Sequence, residues 1–140
     1  MIRNAAAFVV GIVTAFGLVL LIEKLGHTIY PPPADLDFSD PAAVRPYIAT
    51  LPILALLFPM FAWFIGTFTG SLVGSLIGTA RPLFFCTVVG GLVLAGTIAN
   101  LIIIPHPLWF SIISILGIVA SAWLALQFAP GPKGEFLNSD

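Results

Sequence analysis

No Asp, Glu, Lys or Arg falls between Arg45 and Arg81 or between Arg81 and Lys133, and Ala5 to Ile22 is a third uncharged run. A water-soluble fold cannot hydrate a surface built from such stretches, whereas a bilayer core calls for about 20 apolar residues per crossing helix. Proline, glycine and charge punctuate the runs into four predicted spanning helices, at about 5–25, 52–78, 83–104 and 108–128. The expectation is an all-α integral membrane four-helix bundle, up-down-up-down, as a single domain over 1–129 with a polar tail at 130–140. A cleaved leader is the competing reading of the first run, but its apolar stretch is long and no small-residue cleavage pattern precedes Glu23-Lys24.

Between the first two spans lies the one conspicuously polar segment, residues 26–40, stiffened by Pro31-Pro32-Pro33. Proline lacks an amide donor and biases its predecessor to extended backbone, so the first helix must stop before it. Gly26 is a candidate left-handed cap; if the helix persists past it, Glu23 and His27, four residues apart, stack on one face. Ser39-Asp40-Pro41 reads as an N-cap followed by proline at the first helical position, which predicts a short interfacial helix over 41–50 with Tyr47 at headgroup depth. Pro59 is the expected bend of the second span, and Trp63 falls far enough inside it that its indole N–H needs an internal partner.

Small residues add a packing code. In Gly66-Thr67, Gly70-Ser71, Gly74-Ser75 and Gly78-Thr79 a glycine and a hydroxyl recur at every fourth position. Such a stripe lets helices approach closely in lipid, where burying apolar area gains little. Ala7, Gly11 and Ala15 repeat it in the first span, and Gly91, Ala95 and Ala99 in the third, with Gly117, Ser121 and Ala125 in the fourth. The expected partner of the glycine stripe is another span of the same chain, with a second copy as the competing reading. Ser71, Ser75 and Asn100 are the expected intramembrane polar groups, back-bonding to carbonyls or joining helices.

Charge and composition then narrow the function classes. A formal net charge of -1 offers no basic patch, so nucleic acid is not an expected partner; the lipid bilayer is. Placing Arg3, Arg81 and Lys133 in the cytoplasm against Lys24 and Arg45 outside sets both termini inside a cell inner membrane. The lone Cys86 is expected as a packed thiol. Glu135-Phe136 matches a common cloning junction, so part of the tail is not counted towards the fold.

With that topology Glu23, His27, Tyr30, Asp37 and His106 share the outer face. Imidazole and carboxylate are first-choice ligands for divalent ions and the usual acid–base pair. The same histidines equally suit the carboxyl ends of helices, donating to free carbonyls. Spans one and three would be diagonal in a square bundle, which works against a meeting of His27 and His106. No GxSxG, HExxH, CxxC or calcium-loop signature is present. No cofactor is expected, and a divalent metal belongs only to an alternative reading.

Glu23-x-x-Gly26-His27-x-x-Tyr30-Pro31-Pro32-Pro33, Leu36-Asp37 and Ile104-Pro105-His106-Pro107-x-Trp109-Phe110 together resemble a group of small four-span bacterial inner-membrane proteins without an assigned activity. The resemblance implies a bacterial membrane setting and nothing about chemistry. The leading expectation is a non-enzymatic binding, transport-related or assembly module with an outward polar cap for a small ligand or ion, in which a homo-oligomer would follow only from the competing reading of the glycine stripe. The alternative is a metal-dependent enzyme acting on a lipid or lipid-linked substrate.

Overall fold

The computed structural model describes residues 2–131; most of the polar tail, Lys133 included, lies outside them. Five helices follow in order: α1 (Ile2–Ile29), α2 (Pro41–Thr50), α3 (Ile53–Ile77), α4 (Pro82–Ile103) and α5 (Leu108–Phe128). All but α2 are long and apolar enough to cross a bilayer. This is the architecture of a multi-pass, all-helical membrane protein.

Proline and capping chemistry set the boundaries. α2 starts where Asp40 accepts the Ala42 amide at 2.9 Å with Pro41 at the first helical position, and it ends in the extended Leu51 that precedes Pro52. α4 likewise opens on Pro82 and α5 follows Pro107. The one sizeable boundary difference is at α1, which runs through Gly26 to Ile29 instead of ending near residue 25. Gly26 is not a cap: a Cβ there would sit 2.7 Å from Phe58 Cβ, so glycine is required for α1 and α3 to close on each other. The continuous α1 is about 42 Å long at 1.5 Å per residue, enough to carry its last turns beyond a hydrocarbon core.

α3 is the hub. It packs most extensively on α1 and also against α4 and α5, while α1 touches α4 only lightly. The cross-section is therefore not the square one: spans two and four are neighbours, and spans one and three meet only lightly. The glycine–hydroxyl repeat explains how one helix serves two of these partners, α1 and α4. Its glycines form a column against α1: a Cβ on Gly70 would meet Ala15 Cβ and Gly11 O at 2.6 Å, and one on Gly66 would meet Ala15 O at 2.7 Å. Gly74 faces Ala7 O and Phe85, and Gly78 abuts the Phe85 ring. Each hydroxyl is the next residue, about 100° further round the helix, and that column turns to α4. Thr67 approaches Gly90, and Ser75 lies 3.7 Å from the buried Cys86 thiol. The stripe is thus occupied within the chain and not left for a second copy.

Gly91, Ala95 and Ala99 need correction. All three are exposed on the outer face of α4, and nothing lies within 4 Å of a Cβ built on Gly91. The buried line of α4 is Phe85, Cys86, Val89, Gly90, Val93 and Thr97, with Gly90 making the close approach, to Ala122 of α5. On α5, Gly117 accommodates the Phe64 ring.

The end of the bundle opposite α2 is fastened by residues from the chain's start. Asn4 Oδ1 accepts the amides of Thr79 and Ala80 and the Thr79 hydroxyl at 2.7, 3.1 and 2.9 Å, and Arg3 Nε donates to Ile77 O at 2.6 Å. Those bonds close the α3–α4 turn, whose backbone donors the Ala80-Arg81-Pro82 sequence leaves free.

Candidate functional site

At the other end, beneath α2, the helices part around a cavity of about 380 Å³. Glu23, Gly26, His27 and Tyr30 reach it from α1 and its C-terminal edge, Asn100 from α4, and His106 from the α4–α5 connection. α2 supplies Tyr47 and Ile48, with Phe38 from the preceding loop. α2 covers the space by side chains: Val44 and Ile48 are buried and join the core cluster, while its backbone makes no extensive packing with any one span.

Glu23 and Trp63 form the floor. The buried Trp63 donates its indole N–H to Glu23 Oε1 at 3.1 Å, which supplies the internal partner that its depth demands. A carboxylate has acceptor sites beyond the one this bond uses. Because α1 remains helical past Gly26, His27 stands one turn beyond Glu23, exposed at the mouth. Pro59 also lines the cavity, and it has no N–H to give to the carbonyl of Ala55, another lining residue.

The aromatic groups are linked edge to face. Trp63 meets Phe110 at a centroid distance of 5.6 Å, Tyr30 meets Phe58 at 6.2 Å and Phe38 meets Tyr47 at 6.5 Å. His106 stacks on Phe110 at 4.6 Å with its ring 11° from parallel. Its Nδ1 lies 2.8 Å from Ile104 O; a carbonyl only accepts, so Nδ1 carries the hydrogen and Nε2 is left as an acceptor. Ile104 caps α4, so this bond is the helix-end role anticipated for the histidines. Burial pushes the His106 imidazole below its usual pKa, favouring the neutral ring, and it lifts the Tyr47 phenol above its own.

Asp37 does not belong here. It is fully exposed in the loop, where its carboxylate accepts the Ser39 amide at 2.8 Å and hydroxyl at 2.6 Å. Those two bonds hold its carboxyl below the usual range and mark it as a loop-stiffening turn residue. Among the described residues, no three His, Cys, Asp or Glu side chains gather as a metal ligand set.

Asn100 lines the cavity wall, half-buried. Ser75 bonds back to Ser71 O at 2.8 Å, whereas the hydroxyls of Ser71, Thr67, Thr97 and Ser114 are buried without a partner among the described residues. Thr79 leaves the column to join Asn4. Sequence reasoning missed Tyr47 and Phe38 as cavity residues, although Tyr47 was placed on the right helix. It also missed Asn4, for which a lone amide near a terminus gives no signal.

None of the protein-family models, curated proteins or solved structures compared with this chain matches it.

Proposed function

We propose that this protein is a non-enzymatic membrane module, of the binding or transport-related kind, that holds a small ligand in the cavity beneath α2. One observation carries the reading: residues as distant in sequence as Glu23, Asn100 and His106 line a single roofed space of about 380 Å³, within the usual size range of small-molecule pockets. The resemblance to four-span bacterial inner-membrane proteins supports a bacterial cytoplasmic membrane as its setting. Arg3 and Arg81 at the end opposite α2 support cytoplasmic termini, which opens the cavity to the outer side.

The alternative, a metal-dependent enzyme using Glu23, His27 and His106, is less well supported. The three do not gather as a ligand group among the described residues. Elemental analysis of the purified protein is expected to find no stoichiometric divalent metal.

The test of the leading reading is a thermal-shift screen of small molecules on detergent-solubilised full-length protein, alongside Ala55→Phe, which fills the cavity from its wall. Saturable stabilisation of the wild type that the filled variant loses is the expected result. Identical responses of the two proteins to every compound would overturn it.

A further inference from the structure

The cavity has a definite electrostatic character, and its shape adds a size limit. Glu23 is the only acid among the described residues that line it, and no Lys or Arg lines it. The Glu23 carboxylate keeps acceptor capacity after taking the Trp63 N–H. His106 adds an acceptor rather than a charge, since its Nδ1–H is spent on Ile104 and burial favours its neutral form. His27 reaches solvent at the mouth.

Around this acceptor-rich floor stand Trp63, Tyr30, Tyr47 and Phe38. Aromatic faces carry a negative quadrupole and attract a cation, most strongly in Trp, and more so when the site is shielded from water. Leu56, Ile48 and Ile104 complete an apolar wall that gains nothing from a bare hydrated ion. A space of about 380 Å³ is also many times larger than a single coordinated ion requires.

We propose that the cavity takes an amphipathic organic monocation, an amine or quaternary ammonium whose head sits against Glu23 and whose apolar body lies among Trp63, Tyr30, Tyr47 and Phe38. The assignment rests on the binding reading above and names its ligand class. An anion would meet Glu23 without a counter-charge. A neutral molecule of the same shape would leave the carboxylate uncompensated.

The test is calorimetric titration of the full-length protein in mild detergent with three probes: benzyltrimethylammonium, its uncharged carbon isostere neopentylbenzene, and benzenesulfonate. The wild type is compared with Glu23→Gln, which keeps an acceptor for the Trp63 N–H, and with the cavity-filled Ala55→Phe. The cation is expected to bind saturably, about ten- to hundredfold more weakly to Glu23→Gln, and not measurably to Ala55→Phe. Preference for the sulfonate, or equal binding of cation and isostere unchanged by Glu23→Gln but lost in Ala55→Phe, would overturn the cation assignment while leaving the cavity a binding site. If no probe is sensitive to Ala55→Phe, both readings fall. Should Glu23→Gln lose its helical circular dichroism, the wild-type comparison of cation with isostere decides, with Trp63→Phe expected to weaken the cation more than the isostere.

Discussion

Glu23 shows how a single residue serves fold and site together. Its carboxylate satisfies the indole of Trp63, and removing it as Glu23→Ala strands a buried N–H. The expected loss is about 1–3 kcal/mol, against less than about 1 kcal/mol for Glu23→Gln, measured by reversible denaturation in mixed micelles. His106 gives a pH signature. Its folded pKa lies below the unfolded value near 6.5, so the unfolded chain binds the proton first. Stability is therefore complete above that value and falls as pH drops below it, until the folded ring also titrates. A series of melting curves is expected to show this slope diminished in His106→Gln; an unchanged slope would contradict the buried, neutral ring. Trp63's need for a partner was legible from its depth in an uncharged run, but the partner's identity was not, because it depends on the helix against which α3 packs. Asp37 misled for a local reason: a carboxylate two residues before a serine closes its own turn, and composition cannot separate that from a ligand.

At the scale of elements, two adjacent columns on α3 divide the bundle. The glycine column admits α1 to near backbone contact, and the hydroxyl column faces α4. Gly70→Leu is expected to cost at least about 3 kcal/mol or abolish folding, since a Cβ alone would collide with Ala15 and the Gly11 carbonyl. Gly91→Leu, on the open face of α4, is expected within about 0.5 kcal/mol of wild type. Thermal unfolding monitored by circular dichroism separates the two. The pair also marks where sequence reading ran out. Four spans and the short α2 were plain from charge-free runs, prolines and the Asp40 cap. Gly90 and Gly91 are adjacent, however, and a rotation of about 100° decides which one packs. Small-residue periodicity carries no information about that rotation when neighbouring positions both qualify. Gly26 stayed ambiguous for a related reason: a glycine before a proline run signals a helix end locally, whereas here the Phe58 side chain sets the requirement.

At the scale of the molecule, the hub position of α3 makes one end a fastening and the other a chamber. Asn4 and Arg3 tie α1 to the α3–α4 turn, and at the far end α2 roofs the cavity with Tyr47 and Ile48. Asn4→Ala removes the acceptor of three hydrogen bonds and is expected to lower stability by about 1–3 kcal/mol, with faster amide exchange at Thr79 and Ala80 as its local readout. Asn4→Asp, which keeps the acceptor oxygen, is expected to restore the protection.

The Asn4 fastening also bears on the order of synthesis. Asn4 leaves the ribosome well before the Thr79 and Ala80 donors it receives, which follow 75 and 76 residues later. α1 and α3, with the closest packing and the fewest intervening spans, are positioned to pair before α4 leaves the ribosome. The waiting amide then captures the turn as it arrives and sets where α4 enters the bundle. A bulky insertion immediately before Asn4 would therefore be felt at the entry of α4, as slow or misordered assembly, while the same insertion after residue 131 would leave that step alone.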